Sequence, residues 1–164
     1  MPTSTKSAFD FNLTSLDGKP LPLSVFAGKP MVVVNTASKC GFTPQYDGLQ
    51  KLWREFEDKG LIVLGVPSND FGNQEPGDAA AIGAFCKTNF GVSFPLAAKV
   101  HVRGASADPL FQWLSAKGGF LARPRWNFYK YLIGKDGTLK DWFGSITSPN
   151  AGRFRHAVES LIAE

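Results

Sequence analysis

Residues 31–60 read MVVVNTASKCGFTPQYDGLQKLWREFEDKG, and the fold follows from how this stretch divides. It opens on Met31 to Val34, a short all-apolar run rich in β-branched side chains, as expected of a strand covered on both faces. Thr43-Pro44 then offers a helix N-cap and a proline at the first helical position. Tyr46, Leu49, Trp53 and Phe56 recur at helical spacing until Gly60 stops the helix. A second buried strand follows at Leu61 to Val66, and after it a helix capped by Asp78 with Ile82, Phe85, Cys86 and Phe90 on its apolar side. Strand, helix, strand, helix in this order predicts a parallel sheet core.

Working outward, Phe9, Phe11 and Leu13 alternate with polar residues before the turn Asp17-Gly18, which predicts a peripheral β-hairpin arm. Beyond the core lie a weaker strand around Val100 to Val102 and a helix opened by Asp108-Pro109, running through Leu110, Phe111 and Leu114 to Gly118-Gly119. Phe128 to Ile133, the turn Lys135-Asp136-Gly137 and Thr138 to Phe143 form the clearest hairpin. Ser148-Pro149 opens a closing helix with Phe154, Val158 and Leu161 inward. The sum is an α/β chain with a thioredoxin-like fold over residues 1–164 as one domain: a central mixed sheet flanked by helices, with an extra N-terminal β-hairpin.

Composition narrows the function. A chain of 164 residues, 43% hydrophobic and 13% aromatic, can bury a sizeable single core. No run approaches the roughly 18 apolar residues of a spanning helix. The opening Met1-Pro2-Thr3-Ser4-Thr5-Lys6 lacks the apolar stretch of a secretory signal, so a soluble cytoplasmic protein without membrane insertion is expected. The net charge of +4 is scattered among acids along the chain, which argues against nucleic acid as a partner. A zinc site would have to combine Cys40, Cys86, His101 and His156, which include no close pair, so neither a metal nor another cofactor is expected. The two cysteines are then packing residues or reactive thiols.

Cys40 falls between a buried strand and the start of a helix, where free backbone N–H groups and the helix dipole favour a thiolate, and Lys39 adds positive charge. Such a sulfur can attack a peroxide oxygen and pass to sulfenic acid; otherwise it is a small apolar residue under the loop. Gln74, in Phe71-Gly72-Asn73-Gln74-Glu75-Pro76-Gly77, sits in the loop after the second strand and so opens at the same sheet edge. Its amide could donate to that site, or serve only as a polar turn residue. Trp126-Asn127, just before the hairpin, could bring an indole N–H and an amide to the same edge, or be core plus turn. Cys86, on the apolar side of its helix, is either buried and inert or a partner for a sulfenic acid. Phe42, Trp53, Phe56, Trp113, Trp142 and Phe143 read as core or cleft lining, and Asn35 and Glu75 as structural.

Three of these segments, in order, resemble the glutathione peroxidases. Asn35-Thr36-Ala37-Ser38-Lys39-Cys40-Gly41-Phe42-Thr43 is similar to the segment around the family's peroxidatic cysteine or selenocysteine. The Phe71 to Gly77 loop resembles the one that supplies a catalytic glutamine, and Trp126-Asn127-Phe128 the one that supplies tryptophan and asparagine. The resemblance implies a site of Cys40, Gln74, Trp126 and Asn127. It also implies a thiol peroxidase that reduces hydrogen peroxide and organic hydroperoxides through a Cys40 sulfenic acid. Phe85-Cys86 to Phe94-Pro95 resembles the resolving-cysteine segment of members that form an internal disulfide and are reduced by thioredoxin, which implies thioredoxin rather than glutathione as the reductant. The segment from Ser115 to Arg125 is shorter than in tetrameric members, so a monomer or weak dimer is expected. A one-cysteine cycle run on glutathione, and a redox sensor or relay passing its disulfide to a partner protein, are the alternatives. A Cys-x-x-Cys exchanger would need cysteine at Thr43, and a peroxiredoxin would carry threonine at Ala37.

Overall fold

The computed structural model describes residues 6–164. The segment Met1 to Thr5, read above for a leader, lies outside the described residues. Four strands form the central sheet: β3 (Met31–Thr36) and β4 (Ile62–Pro67), then β5 (Lys130–Ile133) and β6 (Leu139–Phe143), in the order β4-β3-β5-β6. β3 and β4 pair in parallel from Met31↔Ile62 to Thr36↔Pro67, whereas β5 runs antiparallel to both β3 and β6, so the sheet is mixed. β1 (Asn12–Thr14) and β2 (Pro20–Pro22) form a second, two-stranded sheet, in register Leu13↔Leu21.

The apolar run of β3 is explained by its neighbours. Val32 and Val34 face one core with Val63, Leu132 and the inner sides of α1 (Gln45–Phe56) and α4 (Gly152–Ala163). Met31 and Val33 face the other, with Leu64, Val66, Tyr131 and α3 (Pro109–Gly118). Each fully buried aliphatic or aromatic side chain contributes about 1.5–3 kcal/mol, so this one strand helps hold both layers. α1 buries Tyr46, Leu49 and Phe56 at the helical spacing seen in the sequence; Leu52 is buried beside them, and Trp53, expected on that face, is only partly buried. The remaining helix, α2 (Ala79–Phe90), is capped by Asp78, whose Oδ1 accepts the Ala81 N–H at 2.9 Å, and ends at Gly91 with φ +60°, a left-handed cap.

Several expectations need correction. The arm is not peripheral: Phe11, Leu13 and Leu23 are buried in the second core, and Thr14 accepts the Ala98 N–H at 2.7 Å. Val100 to Val102 is not a strand. Its N–H groups go elsewhere, Val100 to the Pro67 carbonyl and Val102 to the Asp70 carboxylate. The closing helix starts at Gly152 rather than Ser148, because the Ser148 hydroxyl accepts the Asn150 N–H at 3.1 Å and closes a turn first. Among the described residues, no helix is long and apolar enough to cross a membrane.

Candidate active site

Three loops converge at the C-terminal ends of β3 and β4. In the first, Cys40 is 7% exposed and its backbone is clamped by one side chain. The Thr43 hydroxyl accepts the Cys40 N–H at 2.9 Å and donates to the Ala37 carbonyl at 2.8 Å, while the Thr43 N–H reaches the Cys40 carbonyl at 3.0 Å. Thr43 is therefore not the helix cap expected from sequence, and α1 starts at Gln45 with no side-chain cap. The Phe42 N–H points at the Cys40 sulfur, 3.4 Å away. The Lys39 N–H donates to the Gln74 carbonyl at 2.9 Å and ties this loop to the second.

In the second loop, Gly72 and Asn73 both take left-handed φ values, +66° and +52°, and this double turn presents Gln74. Glycine at 72 has a further cause, since a Cβ there would lie 3.2 Å from the Trp126 ring. In the third loop Phe128 is also left-handed, at φ +64°, and Asn35 holds the bend. Asn35 Nδ2 donates to the Trp126 carbonyl at 2.9 Å, and its Oδ1 and backbone carbonyl accept from Tyr129 and Phe128 at 2.9 and 2.6 Å. The structural role expected of Asn35 is thus to shape the site.

The loops meet at a side-chain bond: Asn127 Nδ2 donates to Gln74 Oε1 at 3.0 Å. Asn127 is fully buried, and its Oδ1 has no partner among protein atoms. With Oε1 engaged, the Gln74 amide nitrogen is directed away from Asn127 and left to donate. Trp126 and Phe42, with Trp142 and Phe143, line a cavity of about 720 Å³ with Arg125 and Arg153 at its edge. The structure thus groups Gln74, Trp126 and Asn127 and connects them to the Cys40 loop. The sulfur's own hydrogen bond comes from Phe42, not from these three side chains.

Lys130 belongs to none of the sequence motifs quoted above. It is 0% exposed at the head of β5, and its ammonium donates to the carbonyls of Thr147, Gly144 and Ser145 at 2.6, 3.2 and 3.4 Å. Burial draws the amine down to about 7, and the three carbonyl acceptors oppose that shift by favouring the protonated form. Ser145 in turn donates its hydroxyl to the Asn127 carbonyl at 2.5 Å and accepts the Gln45 amide at 2.7 Å. One signal was available: a lone lysine in the otherwise apolar run Phe128 to Ile133.

Cys86 is 1% exposed on α2, and both cysteines are free thiols. Burial pushes the Cys86 thiol up to about 11; the Tyr46 hydroxyl beside it opposes that shift and the Glu75 charge adds to it. Tyr46 and Glu75 are themselves buried, and burial raises both above their ordinary ranges. The Tyr46 hydroxyl faces the sulfur without an aligned hydrogen bond, and Glu75 Oε2 is likewise unpartnered among protein atoms.

The chain was compared with known proteins. A family model described as glutathione peroxidase matches residues 8–115, a span that includes Cys40, Gln74 and Cys86 and stops short of Trp126 and Asn127. The chain is 48% identical to a glutathione peroxidase-like peroxiredoxin of Chlamydomonas reinhardtii, over 86% of this chain and 88% of that one. It is 45% identical to a hydroperoxy fatty acid reductase of Synechocystis, over 90% and 92%. Among solved structures, Trgpx in its apo form superposes with a TM-score of 0.79 at 34% identity, covering 98% of each chain. A thioredoxin family protein from Chlorobium tepidum gives 0.70 at 16% identity over 99% of each, a likeness of fold alone.

Proposed function

Because the chain belongs to the glutathione peroxidase family, we propose that its peroxide chemistry takes place at Cys40 and is completed by Cys86. The enzyme is a thiol peroxidase, an oxidoreductase acting on hydroperoxides. The Cys40 thiolate attacks the terminal oxygen of a hydroperoxide. The O–O bond breaks, the departing hydroxide or alkoxide takes a proton and leaves as water or alcohol, and Cys40 becomes a sulfenic acid. Gln74 and Trp126 donate to the peroxide oxygens as charge develops on them, and Asn127 holds the Gln74 amide in that orientation. The bond that carries this reading is the one from Asn127 to Gln74, in a loop tied through the Gln74 carbonyl to the backbone beside Cys40.

The Cys86 sulfur then attacks the sulfenic sulfur, hydroxide leaves as water, and a Cys40–Cys86 disulfide forms. Cys86 is 1% exposed within α2 and burial pushes its thiol up to about 11, so in this scheme the helix opens and exposes the thiol before it reacts. A dithiol reductant of the thioredoxin class restores both thiols. The relatives named peroxiredoxins and the presence of a second, buried cysteine support this choice over glutathione. The short Ser115 to Arg125 segment supports a monomer or weak dimer. Steady-state consumption of an organic hydroperoxide with thioredoxin and with glutathione tests the scheme. Turnover is expected with thioredoxin; turnover with glutathione alone would point to the one-cysteine cycle, and poor turnover with both to a relay.

A further inference from the structure

Lys130 is an unusual residue to find at 0% exposure. Among the described residues it forms no ion pair with a carboxylate, and its charge is met only by the three carbonyls of Gly144, Ser145 and Thr147. A methionine would fill the same space without the cost of burying a charge. What it could not do is satisfy three inward-pointing carbonyls of a loop that turns back over the end of the sheet. That loop is a wall of the 720 Å³ cavity, and it is attached to the site.

The attachment is specific. Ser145, whose carbonyl Lys130 and Gln45 both engage, donates its hydroxyl to the Asn127 carbonyl at 2.5 Å. From the opposite side Asn35 grips Trp126, Phe128 and Tyr129. The segment carrying Trp126 and Asn127 contains the left-handed Phe128, a conformation that persists only where its surroundings over-determine it. Asn35 supplies one half of that constraint, and the Lys130–Ser145 brace supplies the other.

We propose that Lys130 is a positioning residue for the peroxide step: its ammonium pins the loop from Gly144 to Thr147 and, through Ser145, fixes Asn127 and so the Gln74 amide. This rests on the reading of Gln74, Trp126 and Asn127 given under Proposed function. A displacement of Asn127 would misdirect Gln74, and a misplacement of about 1 Å can cost up to about 100-fold in rate.

The test is single-turnover kinetics on the full chain, resolving oxidation by hydroperoxide from the disulfide formation that follows. Lys130→Met is expected to slow the first step by about 10- to 100-fold and to leave the second unchanged. Lys130→Met/Asn127→Ala is expected to be no slower than Asn127→Ala alone, since the lysine acts through that asparagine. Ser145→Ala keeps the lysine and cuts only the link to Asn127; it should slow the first step in the same way, and it decides the matter if Lys130→Met does not fold. A wild-type first step in Lys130→Met, equal slowing of both steps, or multiplying effects in the double variant would overturn the proposal. Should Asn127→Ala itself react at the wild-type rate, the reading of the site fails and the proposal with it. Should Asn127→Ala be slow while Lys130→Met and Ser145→Ala are not, the proposal alone fails.

Discussion

Cys40 and Cys86 are both buried, at 7% and 1% exposure, but they are held by different means. Cys40 lies in irregular backbone that other parts of the chain clamp: the Thr43 hydroxyl bonds on two sides, and Gln74 accepts from Lys39. Cys86 lies in the regular helix α2, fixed at its ends by the Asp78 cap and Gly91, with only Ile82 and Cys86 fully buried along its length. Phe85 and Phe90 also pack, partly buried, against the first core, and a 12-residue helix depends on such packing. In the proposed cycle, the clamped loop holds Cys40 in place for peroxide and α2 opens to release Cys86.

The largest effect is expected at Cys40. Cys40→Ser should reduce peroxide consumption to less than about 1% of wild type, because a hydroxyl gives no accessible anion near neutral pH. Turnover assays with thioredoxin would reveal any larger residue of activity and remove Cys40 from the mechanism. Next in size, Gln74→Ala or Trp126→Ala should slow the first oxidation by about 10- to 1000-fold while the later disulfide step keeps its rate. Stopped-flow traces that slow in both phases would mean that the loops and the helix are not independent, contrary to the contrast drawn between them.

The smallest effect is the sharpest in sign. Asp78→Ala removes the α2 cap at a cost of about 1 kcal/mol, so the fraction of molecules with the helix open should rise about fivefold. Disulfide formation after oxidation, and alkylation of Cys86 in the reduced protein, should both accelerate by that factor. Unchanged rates would show that Cys86 reacts from within the closed helix.

Local signals made the frame of the molecule legible in the sequence. The run at Met31 to Val34, the caps at Asp78 and Asp108 and the inward face of Phe154, Val158 and Leu161 each depend on neighbours within a few residues. Thr43 departs from its expected role for a physical reason: Thr-Pro suits a helix start equally well whether the hydroxyl caps the helix or turns back to Ala37, and only the loop's path decides. Lys130 escaped notice because a lysine in a strand usually lies on a solvated face, and the carbonyls that receive it come from a loop 14 to 17 residues later. For the site, the motifs indicated which residues to group. They did not show that Asn127 binds Gln74 or that Asn35 holds the Phe128 bend, since these contacts span 53 to 94 residues.

The most direct test of the account is the covalent state of the protein after one equivalent of organic hydroperoxide, acid-quenched and read by intact mass and peptide mapping. The wild type should lose two hydrogens and yield a single cross-linked pair, the peptides of Cys40 and Cys86. Cys86→Ser should instead gain one oxygen, located on Cys40. A wild-type protein that keeps both thiols, or that carries the added oxygen on Cys40 without forming the cross-link, would contradict the division of labour between the clamped loop and the opening helix.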